Sequence, residues 1–300
     1  MSRARAPGKV VLSGAYSVLS GAPAIVCSVD RYVTADSARP ADFITAEVAA
    51  ALGVGERAPW FDASALREAD RKLGLGSSAA ILVASLYALE RDARPELSHD
   101  VLAELVFRRA LVAHRAAQAG GSGVDVASST FGGTLGYRLV DGAPLCSSLA
   151  LPSSLVVELW TCPESASTRE LLLAVGELAV RSPDQHQSLL AAQALAAEQA
   201  LSASQQGDAP ALVAALRAQH RALHALGRAA GARIVTPELA ELNAAAESQN
   251  GVLLPAGAGG GDMALFVGPH PSTQPLRDAL AARAHQLLPA ALSVPGVGIL

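Results

Sequence analysis

The sequence predicts an α+β protein with two domains. Short apolar stretches typical of strands lie near both ends of the chain, at Val10–Ser13, Ala24–Val29 and Met263–Val267. Between them lies a long block, from about residue 167 to residue 249, in which leucine recurs at helical spacing. Both strands and helices are therefore predicted, as an α+β protein requires. A change of pattern near residue 150 divides the chain into segments 1–152 and 153–300.

The composition limits the classes of protein to which the chain can belong. It has 300 residues, of which 51% are hydrophobic and 17% charged, and its formal net charge is −4. These values exclude a disordered chain and a disulfide scaffold, and the lack of a basic excess argues against nucleic-acid binding. Three cysteines without CxxC spacing, Cys27, Cys146 and Cys162, indicate reduced thiols in a cytoplasmic protein.

The N-terminal segment contains two predicted strands. The uncharged stretch Val10–Val29 superficially resembles a signal peptide, but Gly14, Gly21 and Pro23 interrupt it, which favours two buried strands and a turn. A targeting segment is the alternative interpretation. No other stretch is a candidate for a membrane span, so we expect no membrane partner.

Helices follow, and several have a recognisable start. A helix over Ser77–Glu90 begins directly at a glycine loop, and Ser98 is the predicted N-cap of a second helix that Gly120–Gly123 ends. The later predicted elements are a strand at Leu155–Trp160, helix starts at Asp208 and Thr236, a strand at Met263–Val267, a helix from about Thr273 and a strand near Leu292–Leu300.

Only two lysines remain in an arginine-rich chain. Of the 23 basic residues, 21 are Arg and two are Lys, namely Lys9 in Ala-Pro-Gly-Lys and Lys72 just before Gly-Leu-Gly-Ser-Ser. Wholesale drift from lysine to arginine explains the bias. The lysines that survive it then indicate positions that need a compact ammonium rather than a planar guanidinium.

One glycine loop predicts a phosphate site. The Walker A and GxGxxG patterns are absent, but Gly74-Leu75-Gly76-Ser77-Ser78 leads directly into an apolar helix. Backbone N–H groups in such a loop, together with the helix N-terminus, suit a triphosphate, and a serine hydroxyl can bind Mg²⁺. A plain loop-to-helix turn capped by serine is the alternative.

Two further constellations carry glycine. Gly257–Asp262 has four glycines in five positions, which favours close approach to a ligand or to another segment. The stretch from His114 to Asp125 is a helix end and a glycine turn followed by a carboxylate. Asp125 is equally compatible with a helix cap and with a position facing a reacting centre.

Taken together and in this order, these motifs resemble the GHMP kinase superfamily. Ala6–Gly14 is similar to its first motif, Gly74–Ala80 to its phosphate loop and Gly257–Asp262 to its third motif. Within the superfamily the chain is most similar to phosphomevalonate kinases of the fungal and plant type. The details that carry this likeness are Gly14-Ala15-Tyr16-Ser17-Val18-Leu19, Lys72 before the loop, Ala113-His114 with Gln118 and Gly121–Asp125, and Trp160-Thr161 followed by Ser165–Thr168.

The resemblance implies a fold and a set of site residues. The implied fold has a two-layer α/β N-terminal domain, of the type of ribosomal S5 domain 2, and a ferredoxin-like C-terminal domain. The implied catalytic residues are Lys9, Lys72 and Asp125. The implied ATP-phosphate site is Gly74, Leu75, Gly76, Ser77, Ser78 and Ala79, with Ser78 as the Mg²⁺ ligand. The implied acceptor-binding residues are Tyr16, Ser122, Gly123, Arg138, Ser165, Ser167, Thr168, Gly257, Ala258, Gly259 and Gly260.

The resemblance also implies an activity. We expect a monomeric or homodimeric small-molecule kinase that uses ATP and Mg²⁺ to phosphorylate 5-phosphomevalonate in isoprenoid biosynthesis. The chain departs from the family at Leu254 and between Gln118 and Gly121, where lysine is usual. The alternatives are mevalonate kinase, another GHMP kinase, and a ligand-binding protein that keeps the fold without turnover.

Overall fold

The computed structural model of the protein describes residues 1–68, 71–118, 120–165 and 167–300. The strands there are β1 (Arg3–Ser13), β2 (Ala24–Pro40), β3 (Pro59–Asp62), β4 (Arg67–Glu68), β5 (Arg71–Lys72), β6 (Thr134–Val140), β7 (Ala143–Leu149), β8 (Val156–Thr161), β9 (Val252–Pro255), β10 (Met263–Gly268), β11 (Gln286–Leu288) and β12 (Gly298–Ile299). The α-helices are α1 (Ala46–Ala51), α2 (Ser77–Ala93), α3 (His99–Ala117), α4 (Val124–Phe131), α5 (Thr168–Arg181), α6 (Pro183–Gln206), α7 (Ala209–Ala230), α8 (Pro237–Ser248) and α9 (Gln274–Ala281). In the described ranges, no helix combines the length and apolarity that a bilayer crossing requires.

The strands form one large sheet, one smaller sheet and a hairpin. The large sheet has the order β12–β1–β2–β6–β7, with β3 paired to β2. The smaller sheet has the order β11–β8–β10–β9, and β4 pairs with β5. The α+β class predicted from the sequence is confirmed.

The chain forms two compact units, and each unit consists of more than one segment of the chain. Unit 1 consists of Met1–Val10, Val26–Leu135 and Ala290–Leu300, and unit 2 consists of Val11–Ile25 and Gly136–Pro289. The division predicted from the sequence, into 1–152 and 153–300, instead assumes a single boundary along the chain. The difference arises because β1, β2 and β6 each continue from one unit into the other, so no single cut separates the units.

Unit 1 buries its second helix almost completely. Every residue of α2 from Ala79 to Ala88 is buried, and α1, α3 and α4 pack against it. A helix that is apolar all round belongs in a core rather than at a surface. The packing therefore fixes the N-terminus of α2, where Ser77 and Ser78 lie.

Unit 2 contains the small antiparallel sheet. Its strands follow each other in the chain as β8, β9, β10 and β11 and stand in the sheet in the order fourth, first, third, second. This is the order of a ferredoxin-like sheet. Helices α5 to α8 occupy the first crossover and α9 the second. The apolar core of the unit includes Phe266, Leu226 and Trp160.

Local signals for helix starts are confirmed. The side chains of Ser98, Asp208 and Thr236 accept hydrogen bonds from backbone N–H groups three residues later. The final strand, predicted over Leu292–Leu300, is wrong in its extent, because only Gly298–Ile299 pairs as a strand, against Ala4 and Arg5 of β1. Strands β7 and β9 and helices α1 and α4 were not predicted, since each spans eight residues or fewer and has little periodic signal.

Candidate active site

Strand β1 lies directly on the glycine loop that precedes α2. The backbone N–H of Lys9 donates to the carbonyl oxygen of Leu75 at 2.8 Å, and Leu75 is buried. Gly8 allows this approach, because a Cβ atom there would lie 2.9 Å from the same carbonyl oxygen. The contact fixes the position of Lys9 relative to the N-terminus of α2.

The N-terminus of α2 has the features of an anion site. Its N-cap is Gly76, with φ 75°, and no side chain caps the helix. The first turn contains no acidic residue, and both Ser77 and Ser78 are half-buried. The first backbone N–H groups of an α-helix have no intrahelical acceptor, so an uncapped end suits a phosphate. Asp or Glu in the first turn commonly stabilises a helix N-terminus, whereas this first turn carries the hydroxyls of Ser77 and Ser78.

The Lys9 side chain lies across Gly76. A Cβ atom at Gly76 would lie 2.9 Å from Cε and 3.0 Å from Cγ of Lys9. The aliphatic stem of the lysine therefore fills the space that any larger residue at position 76 would need. This places the predicted catalytic lysine at the predicted phosphate loop.

Asp125 lies in the first turn of α4 and contacts His114 of α3. Its Oδ2 atom is 3.3 Å from Nε2 of His114, and its Oδ1 atom accepts from the backbone N–H of Val126 at 3.0 Å. The N-cap of α4 is Gly123, so Asp125 does not cap the helix. Of the two interpretations left open by the sequence, the helix cap is therefore wrong, and a position facing a reacting centre stays a prediction.

The surroundings keep Asp125 ionised. Burial on its own raises the pKa of the carboxyl group, but contact with His114, the charges of His114 and Lys9, and the Val126 N–H outweigh it. Together they lower the pKa of Asp125 to about 2. The charge of Lys9 thus acts on Asp125, which brings two of the three predicted catalytic residues into one cluster.

Lys72, the third predicted catalytic residue, is exposed on β5. It pairs with Arg67 of β4 in the short hairpin that precedes the loop. Its catalytic role stays a prediction.

The turn before α4 is ordered by its own serine. The hydroxyl of Ser122 accepts from the backbone N–H of Val124 at 3.4 Å, and Gly123 has φ 80°. Both were predicted to bind the acceptor, and both lie within three residues of Asp125. Ser129 anchors α4 in addition, since its hydroxyl donates to the carbonyl oxygen of Pro7 at 2.9 Å.

In unit 2, Tyr16 holds the second glycine loop. Its hydroxyl donates to the carbonyl oxygen of Ala258 at 2.6 Å, and burial raises the pKa of the phenol. Tyr16 has φ 65°, which a bulky residue adopts only when its surroundings require it. This hydrogen bond explains why a tyrosine follows Gly14-Ala15. The role of Tyr16 toward an acceptor stays a prediction.

The second glycine loop packs tightly against its neighbours. At Gly259, with φ 84°, a Cβ atom would lie 2.0 Å from the carbonyl oxygen of Ile234, and the N–H of Gly260 donates to the same oxygen at 2.9 Å. The sequence left open whether this loop approaches a ligand or another chain segment. Within unit 2 it approaches another segment, at Ile234. Binding of an acceptor by Gly257, Ala258, Gly259 and Gly260 stays a prediction.

The other predicted acceptor residues also lie in unit 2. The guanidinium of Arg138 is paired with Glu198 at 2.8 Å and donates to the Gly21 carbonyl oxygen at 3.3 Å. The hydroxyl of Ser165 donates to Asp262 at 3.0 Å, while Ser167 caps α5 and Thr168 is its exposed first residue. Ala166 lies outside the described residues. Their roles toward an acceptor stay predictions.

Sequence reasoning missed Glu47 as a member of the charged cluster. Glu47 of α1 is 8% exposed, and the side-chain amide of Gln118 donates to its Oε1 at 3.2 Å. A glutamate in a six-residue helix with no motif around it gives no signal in a single sequence. His114 was visible only as part of the Ala-His motif, without its contact to Asp125.

The described side chains fit Mg²⁺ that is carried mainly by a nucleotide. No group of three or more His, Cys, Asp or Glu side chains in the described part of the chain is arranged to hold a metal. Mg²⁺ is commonly bound by one or two protein oxygens together with substrate phosphates. The hydroxyl of Ser78, half-buried at the uncapped helix end, is such an oxygen.

Several known proteins with similar sequences or structures are kinases. Residues 45–133 match the family described as GHMP kinases N terminal domain. A phosphomevalonate kinase of Streptomyces sp. (strain CL190) is 29% identical over 86% of this chain and 87% of its own length. A mevalonate kinase of Archaeoglobus fulgidus is 27% identical over 89% of this chain and 93% of its own. The fold is shared with the Streptococcus pneumoniae phosphomevalonate kinase solved with phosphomevalonate and AMPPNP. The TM-score is 0.76 and the identity 20%, and the match covers 97% of this chain and 100% of that chain.

Proposed function

We propose that this chain is a GHMP kinase that phosphorylates 5-phosphomevalonate, since residues 45–133 match the family's N-terminal domain and the fold is shared with a phosphomevalonate kinase. The donor is ATP and the product is 5-diphosphomevalonate, an intermediate of isoprenoid biosynthesis. The likeness to the Streptomyces phosphomevalonate kinase supports this choice of acceptor. We also propose that the phosphates of ATP lie at the N-terminus of α2.

The likeness to the Streptomyces phosphomevalonate kinase carries the choice of acceptor, and the lowered pKa of Asp125 agrees with it. An alcohol acceptor such as mevalonate benefits from a base whose pKa lies near the working pH. With a pKa lowered to about 2, Asp125 is a weak base at neutral pH. A phosphomonoester has a second pKa of about 6, so near pH 7 it is already largely a dianion and needs no base.

The mechanism then depends on positioning and on charge. An oxygen of the acceptor phosphate attacks the γ-phosphorus of ATP, the bond to the β,γ-bridging oxygen breaks, and ADP leaves. The ammonium of Lys9 neutralises charge that develops on the transferring group, and Asp125 orients that ammonium. Backbone N–H groups of Ser77, Ser78 and Ala79 hold the phosphates of the donor. Mg²⁺, held by Ser78 and the nucleotide, supplies further neutralisation of phosphate charge when bound.

The experiment that tests the proposal is a comparison of acceptors. ADP release is measured with Mg²⁺-ATP and either 5-phosphomevalonate or mevalonate, and we expect the higher kcat/KM for 5-phosphomevalonate. A higher value for mevalonate would favour the second candidate, mevalonate kinase, which the Archaeoglobus relative supports. If ADP is released with neither of the two acceptors, a ligand-binding protein without turnover is favoured.

A substitution at Gly76 tests the placement of Lys9. Gly76→Ala introduces a Cβ atom at φ 75° and displaces the lysine stem, so we expect kcat/KM to fall at least about tenfold, or ~1.4 kcal/mol of transition-state stabilisation. Gly207→Ala is the matched control, since Gly207 has φ 69° and a Cβ atom there would meet no other atom within 4 Å. Both variants should lose roughly 1–2 kcal/mol of stability from the left-handed backbone. Equal activity in the two variants would contradict the placement.

A further inference from the structure

His114 is buried beside Asp125 and has no assigned task in the mechanism above. It is 2% exposed, and its Nε2 atom lies 3.3 Å from Oδ2 of Asp125. Neither Nδ1 nor Nε2 has a hydrogen-bond partner within the described ranges, so Nε2 meets Asp125 as an ion-pair contact. A buried imidazole without hydrogen bonds needs a physical explanation.

Glu47 supplies a second carboxylate near this imidazole. Helix α1 packs against α3, and Gln118 donates to Glu47 at 3.2 Å. Gln118 follows His114 by four residues, so both side chains lie on one face of α3. The hydrogen bond therefore holds the Glu47 carboxylate on the face of α3 that carries His114.

The charges around His114 balance only when it is protonated. Helix α4 contributes Asp125, α1 contributes Glu47, and β1 contributes Lys9. Helix α2 also packs against α3, but its Glu90 is paired with Arg94 and Arg109. A neutral imidazole would leave two carboxylates facing one ammonium, whereas an imidazolium makes the cluster neutral. Buried charges are tolerated where they are paired in this way.

We propose that His114 is a positioning residue that acts as an imidazolium, held by Asp125 and Glu47, and that it fixes the Asp125 carboxylate toward Lys9. The inference rests on the proposed function, because it assigns a task within the same site. Glu47 acts only through His114 and touches no substrate. When His114 loses its proton, Asp125 loses an ionic partner and the orientation of Lys9 is weakened.

The direction of the His114 titration agrees with this role. Burial lowers the pKa of the imidazole and the charge of Lys9 acts in the same direction, but the contact with Asp125 and the charges of Asp125 and Glu47 outweigh both. The pKa of His114 is therefore raised above its ordinary value of 6.5. We expect kcat to fall as the pH rises through this raised pKa.

The first test measures the protonation of His114 directly. The imidazole signals of the substrate-free protein are followed against pH by NMR, and His114→Gln identifies the His114 signal among the seven histidines. We expect a pKa above 6.5 in the wild type and a lower value in Glu47→Gln. Glu104→Gln is the matched control, since Glu104 lies on α3 but pairs with Arg108 at the surface. A wild-type pKa at or below 6.5, or no shift in Glu47→Gln, would overturn the proposal.

The second test connects this protonation to turnover. In Glu47→Gln we expect the basic limb of kcat against pH to move to lower pH by the same shift that NMR records, with KM for ATP unchanged. Glu104→Gln should keep the wild-type profile. A profile that does not move while the His114 pKa does would overturn the positioning role. Because the NMR test needs no acceptor, a failure of 5-phosphomevalonate as substrate contradicts the proposed function separately.

Discussion

Replacing Asp125 with Asn is expected to lower kcat about 10²-fold or more, with 5-phosphomevalonate as acceptor. The substitution removes the charge that orients Lys9, and the loss of one preorganised electrostatic group costs about 10²–10³-fold in comparable sites. The acid limb of the profile should remain, since it belongs to the acceptor phosphate with its second pKa of about 6. If Asp125→Asn removes an acid limb near neutral pH, Asp125 is a general base and an alcohol acceptor becomes the better assignment.

The same variant carries its own check on folding. The pKa of Asp125 is lowered in the folded chain, so its contribution to stability is fully present above its unfolded value of about 4 and is lost as pH falls toward 2. We expect the variant to be less stable than the wild type by about 2 kcal/mol at pH 7, and the difference to shrink between pH 4 and pH 2. Urea unfolding followed by circular dichroism measures both values. A difference that persists at pH 2 would show that the charge is not its source.

Replacing Lys9 with Arg is the second substitution for which we expect a large effect. Arginine keeps the charge, but its planar guanidinium is larger than the ammonium whose stem lies against Gly76. We expect kcat/KM to fall at least about tenfold, or ~1.4 kcal/mol of transition-state stabilisation. Thermal unfolding should change little, because the side chain is only half-buried.

The matched comparison is the same substitution at the other lysine. Lys72→Arg changes the same group at an exposed position of β5. The sequence predicts a loss of at least about tenfold there too, and its measurement decides whether Lys72 belongs to the catalytic machinery. Wild-type kcat/KM in Lys9→Arg would contradict the role assigned to Lys9.

Local signals in the sequence were sufficient for much of the fold. Ser98, Asp208 and Thr236 mark helix starts because capping depends on residues only three positions away. The extent of β12 was not predictable in this way, since it depends on pairing with β1 at the opposite end of the chain.

In the candidate active site, too, the sequence revealed only what depends on residues close together in the chain. Lys9 and the loop before α2 were found because each lies in a compact motif. The groups that set the ionisation of Asp125 and of His114 were not all found, because His114 and Glu47 reach the cluster from separate helices. Neither Glu47 nor its bond to Gln118 has a sequence signal, since burial and charge balance arise only when α1, α3 and α4 pack together.

The proposed activity is decided by identifying the bond that the enzyme makes. Phosphorus NMR is recorded on a reaction of the wild-type protein with Mg²⁺-ATP and an equimolar mixture of 5-phosphomevalonate and mevalonate. We predict that the acceptor phosphate signal is replaced by two coupled doublets of a diphosphate monoester, while mevalonate remains unphosphorylated. Growth of the 5-phosphomevalonate singlet, which phosphorylation of mevalonate at its 5-hydroxyl would produce, with no diphosphate doublets other than those of the nucleotides, would contradict the proposed choice of acceptor.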